Sequence, residues 1–215
     1  MNIEQKEKID QFANLIFTNN QKFNLTGFKT IEDVKEKLVH NSIIDLSLIS
    51  VPRGTLVADM GTGSGVPGVV LAILNSEAKF VLLDSNGKKC SFIRDACTKL
   101  EIDNVTVNAV RIEEYARSHR DTFDVVVSRA FAPVLCNMEL GLPMLKENGV
   151  MYIYSHYHFE SLSVQLKEFC SVLGGAGIKT PYGEGITIKK TDATPLLYPR
   201  NYPVIKRESR IIPEV

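Results

Sequence analysis

The sequence predicts an α/β domain in which a mostly parallel, twisted sheet carries helices on both faces. From residue 55 onwards, short runs of apolar and β-branched residues alternate with longer stretches of helical periodicity. Near-continuous apolar strands of this kind are typical of parallel sheets that are buried on both sides. A glycine-rich turn follows the first such run and precedes the first helix, as in Rossmann-like layers. The residues before this layer have a helical pattern and predict an N-terminal helical extension.

The extension is expected to contain two helices. Residues 3–18 carry four apolar side chains at three- and four-residue spacings, which predicts an amphipathic helix. These side chains are Ile9, Phe12, Ala13 and Ile16. A second helix is expected to begin after Thr30, whose side chain can cap it, and to continue through the apolar region 43–49. We therefore predict an extension over residues 1–52 that packs on a ligand-binding domain over residues 53–215.

The elements of the layer follow from the same patterns. The strand candidates are residues 56–59, 80–84, 105–108, 123–127 and 150–154. Helices are expected at residues 66–75, 88–100, 112–118, 134–145 and 160–172. Two late strands, at residues 185–189 and 204–206, are expected to form an antiparallel pair at one edge of the sheet.

Composition and charge restrict the class of protein. The 215 residues include 25 basic and 25 acidic side chains, and this balance argues mildly against a nucleic-acid partner. We expect no membrane partner, because no apolar run is long enough to span a bilayer, and no secretory signal, because the first residues are charged. The four cysteines lack CxxC spacing, which favours reduced, buried thiols and a cytoplasmic protein.

The loop at residues 59–68, Asp-Met-Gly-Thr-Gly-Ser-Gly-Val-Pro-Gly, is the most informative segment of the chain. A Cβ atom on Gly61, Gly63 or Gly65 would block either the tight turn or an approaching ligand, and the turn is expected to need positive φ angles. The exposed N–H groups at the start of the following helix favour anionic or strongly polar ligand groups. The loop therefore predicts a nucleotide-like cofactor.

The spacing of the loop allows two cofactors. Gly63-x-Gly65-x-x-Gly68 fits the dinucleotide fingerprint, whereas Asp59-x-Gly61-x-Gly63-x-Gly65 is the form usual in S-adenosylmethionine (SAM) methyltransferases. Asp59 and the helical segment before the loop favour SAM. Asp84 ends the second predicted strand, where a carboxylate can accept hydrogen bonds from ribose hydroxyls; a helix-capping role is the alternative. No Gly-Lys-Ser/Thr follows, which excludes a P-loop.

Five motifs in fixed order make the pattern more specific. They are Asn24-Leu25-Thr26, the loop with its Pro67-Gly68 ending, Leu82-Leu83-Asp84-Ser85-x-Gly87-Lys88-Lys89, Arg111-Ile112-Glu113-Glu114 and Ser128-Arg129-Ala130-Phe131-Ala132-Pro133. With these motifs the chain resembles the bacterial 16S ribosomal RNA methyltransferase G family, also called glucose-inhibited division protein B. The resemblance implies the Rossmann-like SAM-dependent methyltransferase fold and transfer of a methyl group from SAM to N7 of one guanosine in 16S ribosomal RNA.

The resemblance also implies the site. Gly61 and Val66 would contact the cofactor, Ile112 and Glu113 would border the adenine, and Arg129 would lie at the cofactor and the incoming base. The full set of expected cofactor-binding residues is Asp59, Gly61, Gly63, Gly65, Val66, Asp84, Ile112, Glu113 and Arg129. The expected partner is 16S ribosomal RNA or the small ribosomal subunit, and the expected state is a monomer without a bound metal.

The chemistry of the acceptor requires no general base. Guanine N7 has an exposed lone pair and no proton to lose, so alignment and proximity are expected to carry catalysis. Arg129 is then a candidate for positioning the substrate. Phe131 is a candidate for stacking on a splayed guanine, with core packing as the alternative. The position of Cys136 on the next helix suits packing better than a nucleophilic role.

Several positions depart from the family. Val39 stands before His40 where the family has Arg-His, Ile43 begins a stretch without the usual adjacent Asp-Ser, and Ser155-His156 replaces Lys-Gly after the fifth strand. These changes remove basic charge from the expected RNA face. His156 and His158 could compensate or bind a metal, although a polar loop is the simpler interpretation. The alternatives left open are a SAM methyltransferase for another RNA or a small molecule, a dinucleotide-dependent oxidoreductase, and an inactive SAM-fold interaction module.

Overall fold

Seven strands form one sheet in the described part of the chain, which comprises residues 1–46, 51–179 and 185–215 of the computed structural model. The strands are β1 (Leu56–Met60), β2 (Lys79–Asp84), β3 (Val105–Ala109), β4 (Phe123–Arg129), β5 (Leu145–Tyr154), β6 (Gly175–Ile178) and β7 (Ile186–Lys190). Their order is β3-β2-β1-β4-β5-β7-β6, with β1 to β5 parallel and β7 antiparallel to both of its neighbours. The five predicted strands of the layer and its parallel arrangement are confirmed.

Helices cover both faces of the sheet. They are α1 (Ile3–Asn20), α2 (Ile31–Asp33), α3 (Asn41–Leu46), α4 (Gly68–Leu74), α5 (Gly87–Lys99), α6 (Ile112–Ser118), α7 (Val134–Gly141), α8 (Val164–Val172) and α9 (Tyr202–Glu208). One core cluster contains buried side chains of α1, α4 and α5, and the other contains those of α6, α7, α8 and α9. Across these described residues, no helix combines the length and apolar character that crossing a bilayer requires.

The register of the sheet brings the carboxyl ends of four strands to one edge. Asp59 of β1 pairs with Leu82 of β2, and Met60 pairs with Ser128 of β4, so these strands end at the same level. Asp84, at the end of β2, pairs with the last residue of β3. The strand order reverses between β1 and β4, which is the position where ligands bind in sheets of this kind.

The N-terminal extension packs on the sheet through α1 and the helices after it. Asn2 and Gln5 form a reciprocal capping box at the start of α1. The four predicted apolar side chains are buried, and the Phe12 ring stacks on Phe92 of α5 at 6.5 Å between centroids. The Gln5 side chain also donates to two carbonyl groups at the end of α4. The extension therefore shares a hydrophobic core with the sheet, while a domain boundary at residue 52 stays a prediction.

The second predicted helix is present but is not uniform. Thr30 caps it by accepting a hydrogen bond from the Asp33 N–H group at 3.1 Å. A π-helical segment, Val34–His40, then connects α2 to α3. Within the predicted region 43–49, residues 43–46 are helical and residues 47–49 lie outside the described chain.

The prediction of a late strand at residues 204–206 is wrong. These residues lie in α9, where Pro203 occupies the first turn, a position that needs no N–H donor, and Ile205 packs into the core. The partner of β7 is instead β6, whose sequence is Gly-Ala-Gly-Ile. Glycines make a strand hard to predict from sequence, which is why β6 was not predicted. A Cβ atom on Gly177 would overlap the Phe159 ring, so close packing explains the glycine there.

Candidate active site

A cleft of about 760 Å³ opens at the carboxyl edge of the sheet, beside the point where the strand order reverses. Its volume lies within the range typical of small-molecule sites. The lining residues come from the N-terminal extension, the loops after β1 to β4, and α9. They are Leu25, Thr26, Gly27, Phe28, Leu38, Gly61, Thr62, Gly63, Ser64, Val66, Asp84, Ser85, Lys89, Arg111, Ile112, Glu113, Arg129, Ala130, Phe131 and Tyr202.

The glycine loop adopts the backbone conformation that the sequence predicts. Gly61, Gly63 and Gly65 have φ angles of 68°, 59° and 90°, which a side chain would disfavour. The N–H groups of Gly61 and Thr62 donate to the Leu83 carbonyl at 2.8 and 3.0 Å. The loop is thus fastened to the adjacent strand β2, and Gly61 and Gly63 lie on the wall of the cleft.

Asp59 supports the loop from behind. It is buried, and its Oδ2 atom accepts hydrogen bonds from the Thr62 hydroxyl at 2.6 Å and the Gly68 N–H group at 2.9 Å. Burial raises the pKa of Asp59 to about 6, although these two hydrogen bonds oppose the shift. The Oδ1 atom is buried and has no hydrogen-bond partner among the described residues. Asp59 thus lies behind the loop and outside the cleft wall, and its expected contact with a cofactor stays a prediction.

Gly65 also faces away from the cleft. A Cβ atom at this position would lie 3.0 Å from both Phe12 Cζ of α1 and Val69 Cγ2 of α4. Its absence lets the loop pack closely against the N-terminal extension. Gly65 therefore has a packing role, and its expected contact with a cofactor stays a prediction.

Asp84 connects the loop to the cleft. Its Oδ2 atom accepts from the Gly63 N–H group at 3.0 Å, and its Oδ1 atom accepts from the Asn86 N–H group at 2.8 Å. A carboxylate can accept about four hydrogen bonds, so each oxygen retains capacity for a hydroxyl group in the cleft. The cap of α5 is provided by Asn86, which accepts from the N–H groups of Lys88 and Lys89. The alternative role of Asp84 as the helix cap is therefore filled by another residue.

Three further predicted residues line the cleft beside Asp84. Val66 follows the glycine loop, and Ile112 and Glu113 form the start of α6. The backbone after β3 is tied to β2 by the Val110 N–H group, which donates to the Asp84 carbonyl at 3.0 Å. The structure thus brings the ends of β2 and β3 together in one wall.

Arg129 lies in the cleft wall but is directed to the N-terminal extension. Its guanidinium group donates to the Lys37 carbonyl at 2.8 Å and also to the Leu38 carbonyl and the Ser42 hydroxyl. The same group lies 5.8 Å from the centre of the Tyr154 ring. Arg129 therefore joins the π-helical segment to the end of β4. The substrate-positioning role that the resemblance implies stays a prediction beside this structural one.

The turn after Arg129 places an aromatic ring over the glycine loop. Ala130 has a φ angle of 50°, an uncommon conformation for a residue with a side chain. Phe131 follows, and a Cβ atom on Gly61 would lie within 2.1 Å of its ring. Phe131 is partly buried, packs against the core and lines the cleft; the core-packing role is present, and stacking on a guanine stays a prediction.

Several parts of the wall were not predicted as site residues, among them the turn at residues 25–28 and Tyr202. The turn at residues 25–28 is held by Asn20, whose Oδ1 atom accepts from the N–H groups of Leu25 and Thr26 at 2.8 and 3.0 Å. The Asn24-Leu25-Thr26 motif was the available signal for this turn. Tyr202, the first residue of α9, is a second example; the strand predicted nearby covered residues 204–206, and nothing in the sequence placed Tyr202 at the cleft.

The remaining candidates lie away from the cleft wall. Cys136 is buried in α7, and burial is the main cause of the rise in its thiol pKa, which disfavours a thiolate nucleophile. His156 and His158 lie in the loop after β5. Within the part of the chain that the structure describes, no three His, Cys, Asp or Glu side chains are grouped to hold a metal ion.

Comparison with known families and curated proteins identifies clear relatives. Residues 5–184 match the family model described as rRNA small subunit methyltransferase G. The chain is 32% identical over 208 residues to a Desulfitobacterium hafniense protein named Ribosomal RNA small subunit methyltransferase G, covering 92% of this chain and 86% of that protein. A protein of the same name from Actinobacillus succinogenes is 38% identical over 165 residues, which is 77% of this chain and 76% of the relative.

Solved structures show similarity of fold. A precorrin-6y C5,15-methyltransferase from Geobacter metallireducens matches 70% of this chain and 86% of its own, with a TM-score of 0.51 and 20% identity. The aminoglycoside resistance methyltransferase NpmB1 matches 71% of this chain and 93% of its own, with a TM-score of 0.53 and 12% identity. At these identities the match supports the Rossmann-like methyltransferase fold alone.

Proposed function

The chain belongs to the rRNA small subunit methyltransferase G family, and on this premise we propose that its cleft binds SAM and directs the methyl group to N7 of a guanosine in 16S ribosomal RNA. The family makes the enzyme an rRNA methyltransferase, and the similarity to relatives of that name extends over most of both chains. The observation that carries the proposal is the glycine loop bonded to Asp84 at the wall of a cleft of suitable volume.

The residues present fit SAM. The backbone at Gly63 is open to a ligand, since, of the atoms that the structure describes, a Cβ atom there would have only the Gly61 carbonyl oxygen, at 3.8 Å, as a neighbour. Asp84 is the group that would hold the ribose hydroxyls, and Ile112 and Glu113 would border the adenine. The unpaired Oδ1 atom of Asp59 adds negative charge behind the loop, which suits a ligand with a sulfonium and an ammonium group.

The chemistry divides between the cofactor and the protein. SAM supplies an activated methyl group, and the lone pair of guanine N7 displaces the thioether without loss of a proton. The chain's own task is to hold the acceptor in line with the methyl group and to exclude water. Phe28 and Phe131 offer aromatic faces at the cleft for a base, since bases stack on such rings. No residue of the chain is proposed as a general base.

Two basic side chains at the cleft suit a substrate that carries phosphate groups. Lys89 and Arg111 line the cleft of a chain whose net charge is zero. Phosphate groups beside a splayed guanine would be attracted to these two side chains. We propose that the enzyme acts as a cytoplasmic monomer, with 16S ribosomal RNA or the small subunit as its partner.

A methylation assay with two forms of the substrate tests the proposal. Purified enzyme and labelled SAM are incubated with small ribosomal subunits, and separately with free 16S ribosomal RNA, from cells that lack this gene. Mass spectrometric mapping of the nucleosides is expected to find one new 7-methylguanosine. Methyl transfer to another atom, or transfer only to a small molecule, would contradict the proposed reaction. A panel of free nucleotides and metabolites serves as the control substrate set.

A further inference from the structure

The C-terminal part of the chain contributes a wall of the cleft, although the family model ends at residue 184. Tyr202, the first residue of α9, lines the cleft together with Ile112 and Glu113 at the start of α6. The Tyr202 ring is partly buried and packs against the apolar core under α7. The segment that carries it therefore reaches the region where the adenine of the proposed cofactor would lie.

A buried ion pair fixes this segment two residues before Tyr202. Glu139 of α7 is fully buried, and its carboxylate accepts from the Arg200 N–H group at 2.8 Å and from Nε and Nη2 at 2.9 and 2.6 Å. A buried charge pair offsets its desolvation only when it is well bonded on both sides, as here. The guanidinium group also lies over the rings of Phe169 and Tyr198. The position of α9 is thus rigidly specified.

A second set of contacts joins the same segment to α6. Arg117 of α6 donates through Nε to the Pro199 carbonyl at 3.1 Å and through Nη2 to the Asn201 side chain at 2.7 Å. These contacts hold the residues just before Tyr202 against the helix that begins with Ile112 and Glu113. Burial is the main cause of the raised pKa of the Tyr202 phenol, and the charges of Cys136 and Glu113 raise it further. Tyr202 and Glu113 line the same cleft.

We propose that Tyr202 is a cofactor-affinity residue whose ring packs against the adenine of SAM, and that the segment from Arg200 to Tyr202 is built to hold it there. A tyrosine ring offers a large apolar face with few rotatable bonds, and adenine offers a planar face that stacks on it. This inference rests on the proposed function, because it assigns a contact within the proposed cofactor site.

Calorimetric titration of S-adenosylhomocysteine into the full-length enzyme tests this contact; the chain has no tryptophan to report binding by fluorescence. Replacing the ring by a non-aromatic side chain, Tyr202→Leu, is expected to weaken binding about tenfold, because the stacking contact with the base is lost. Tyr202→Phe keeps the ring and is expected to bind within about threefold of the wild type. The control is Val204→Ala, an exposed position on the same helix outside the cleft wall.

The outcomes separate this inference from the proposed function. Failure of the wild-type enzyme to bind S-adenosylhomocysteine would contradict the proposed function itself. Wild-type binding with equal affinity in folded Tyr202→Leu would overturn only the role of Tyr202. An unchanged affinity with a raised KM for RNA would likewise overturn it, since the ring would then serve the guanine. If Tyr202→Leu does not fold by circular dichroism, Tyr202→Gln replaces it with the same expectations.

Discussion

Two carboxylates, Asp59 and Asp84, hold the glycine loop in place. Asp84 also faces the cleft. Its two oxygens bond to the Gly63 and Asn86 N–H groups, so the same group that shapes the loop is presented to a ligand. Asp84 was predictable from its position after an apolar strand. Asp59 was also expected at the cofactor, but the direction of its side chain depends on the turn of the loop and on the hydrogen bonds to Thr62 and Gly68, which the sequence does not specify.

Replacing Asp84 is expected to weaken cofactor binding. Asp84→Ala removes two acceptors for ribose hydroxyls and releases the Gly63 N–H group, so the affinity for S-adenosylhomocysteine should fall on the order of tenfold or more. Calorimetric titration measures this change. Asp95→Ala, an exposed carboxylate on α5 away from the cleft, is the matched control. Equal affinities of wild type and Asp84→Ala would exclude this carboxylate from the site.

The buried carboxyl group of Asp59 is expected to make stability depend on pH. Its pKa is about 6 in the folded state and near 3.8 in the unfolded chain, so the folded state retains the proton to higher pH. The contribution of Asp59 to the free energy of unfolding is therefore greatest below pH 4. It decreases as the pH rises and is lost above about pH 6. Between pH 5 and pH 8 the wild type should lose about 1 kcal/mol relative to Asp59→Asn.

Urea denaturation of both proteins at the two pH values measures the difference. Subtracting Asp59→Asn removes the contributions of all other titrating groups, since these are common to both proteins. A difference in unfolding free energy that does not change with pH would show that Asp59 titrates normally in the fold.

At the scale of elements, predictability follows the strength of the hydrophobic pattern. The central parallel strands β1 and β4 have near-continuous apolar sequences because both of their faces are buried, and all five parallel strands were located. β6 was missed because glycine replaces apolar side chains where Phe159 and Ile188 pack closely. The segment at 204–206 was assigned to a strand because Val-Ile is β-branched, whereas Pro203 in the first turn and the burial of Ile205 favour a helix. The secondary-structure propensity of a short segment contains no information about such tertiary contacts.

Arg129 connects two elements, and its loss is expected to loosen one of them. Arg129→Ala removes the hydrogen bonds to the Lys37 and Leu38 carbonyls and the Ser42 hydroxyl, which fasten this part of the extension to β4; the Leu38 carbonyl keeps the Ser42 hydroxyl as a donor. Each such loss costs roughly 1 kcal/mol, so we expect a lower melting temperature, faster amide exchange in residues 31–43 and impaired methyl transfer.

Hydrogen exchange followed by mass spectrometry reports on the segment directly. Arg53→Ala serves as the control, because that side chain is exposed and its ion pair with Glu77 lies at the surface. Unchanged exchange in residues 31–43 of Arg129→Ala, together with impaired methyl transfer, would assign Arg129 to the substrate rather than to the extension.

At the scale of the whole molecule, the cleft is assembled from distant parts of the chain. The extension contributes the turn at residues 25–28, the sheet contributes the glycine loop and Asp84, and the C-terminal segment contributes Tyr202. The contribution of the sheet was predictable, because loop motifs and strand order are local or follow general rules of topology. The contribution of α9 was not, since it depends on the long-range pairing of Arg200 with Glu139.

The choice between SAM and a nicotinamide dinucleotide can be tested on the intact protein. A ligand that binds only the folded state stabilises it by about 2.7 kcal/mol at a concentration 100 times its Kd. For a chain of this size that corresponds to a rise in melting temperature of roughly 5–10 °C. We expect S-adenosylhomocysteine to produce this shift and NAD or NADP to produce none, because Asp84 and the glycine loop face one cleft that the family assignment gives to SAM. The shift should shrink in Asp84→Ala at the same ligand concentration, which shows that the stabilisation arises at this cleft. A larger shift with NAD than with S-adenosylhomocysteine would assign the cleft to a dinucleotide and contradict the methyltransferase proposal.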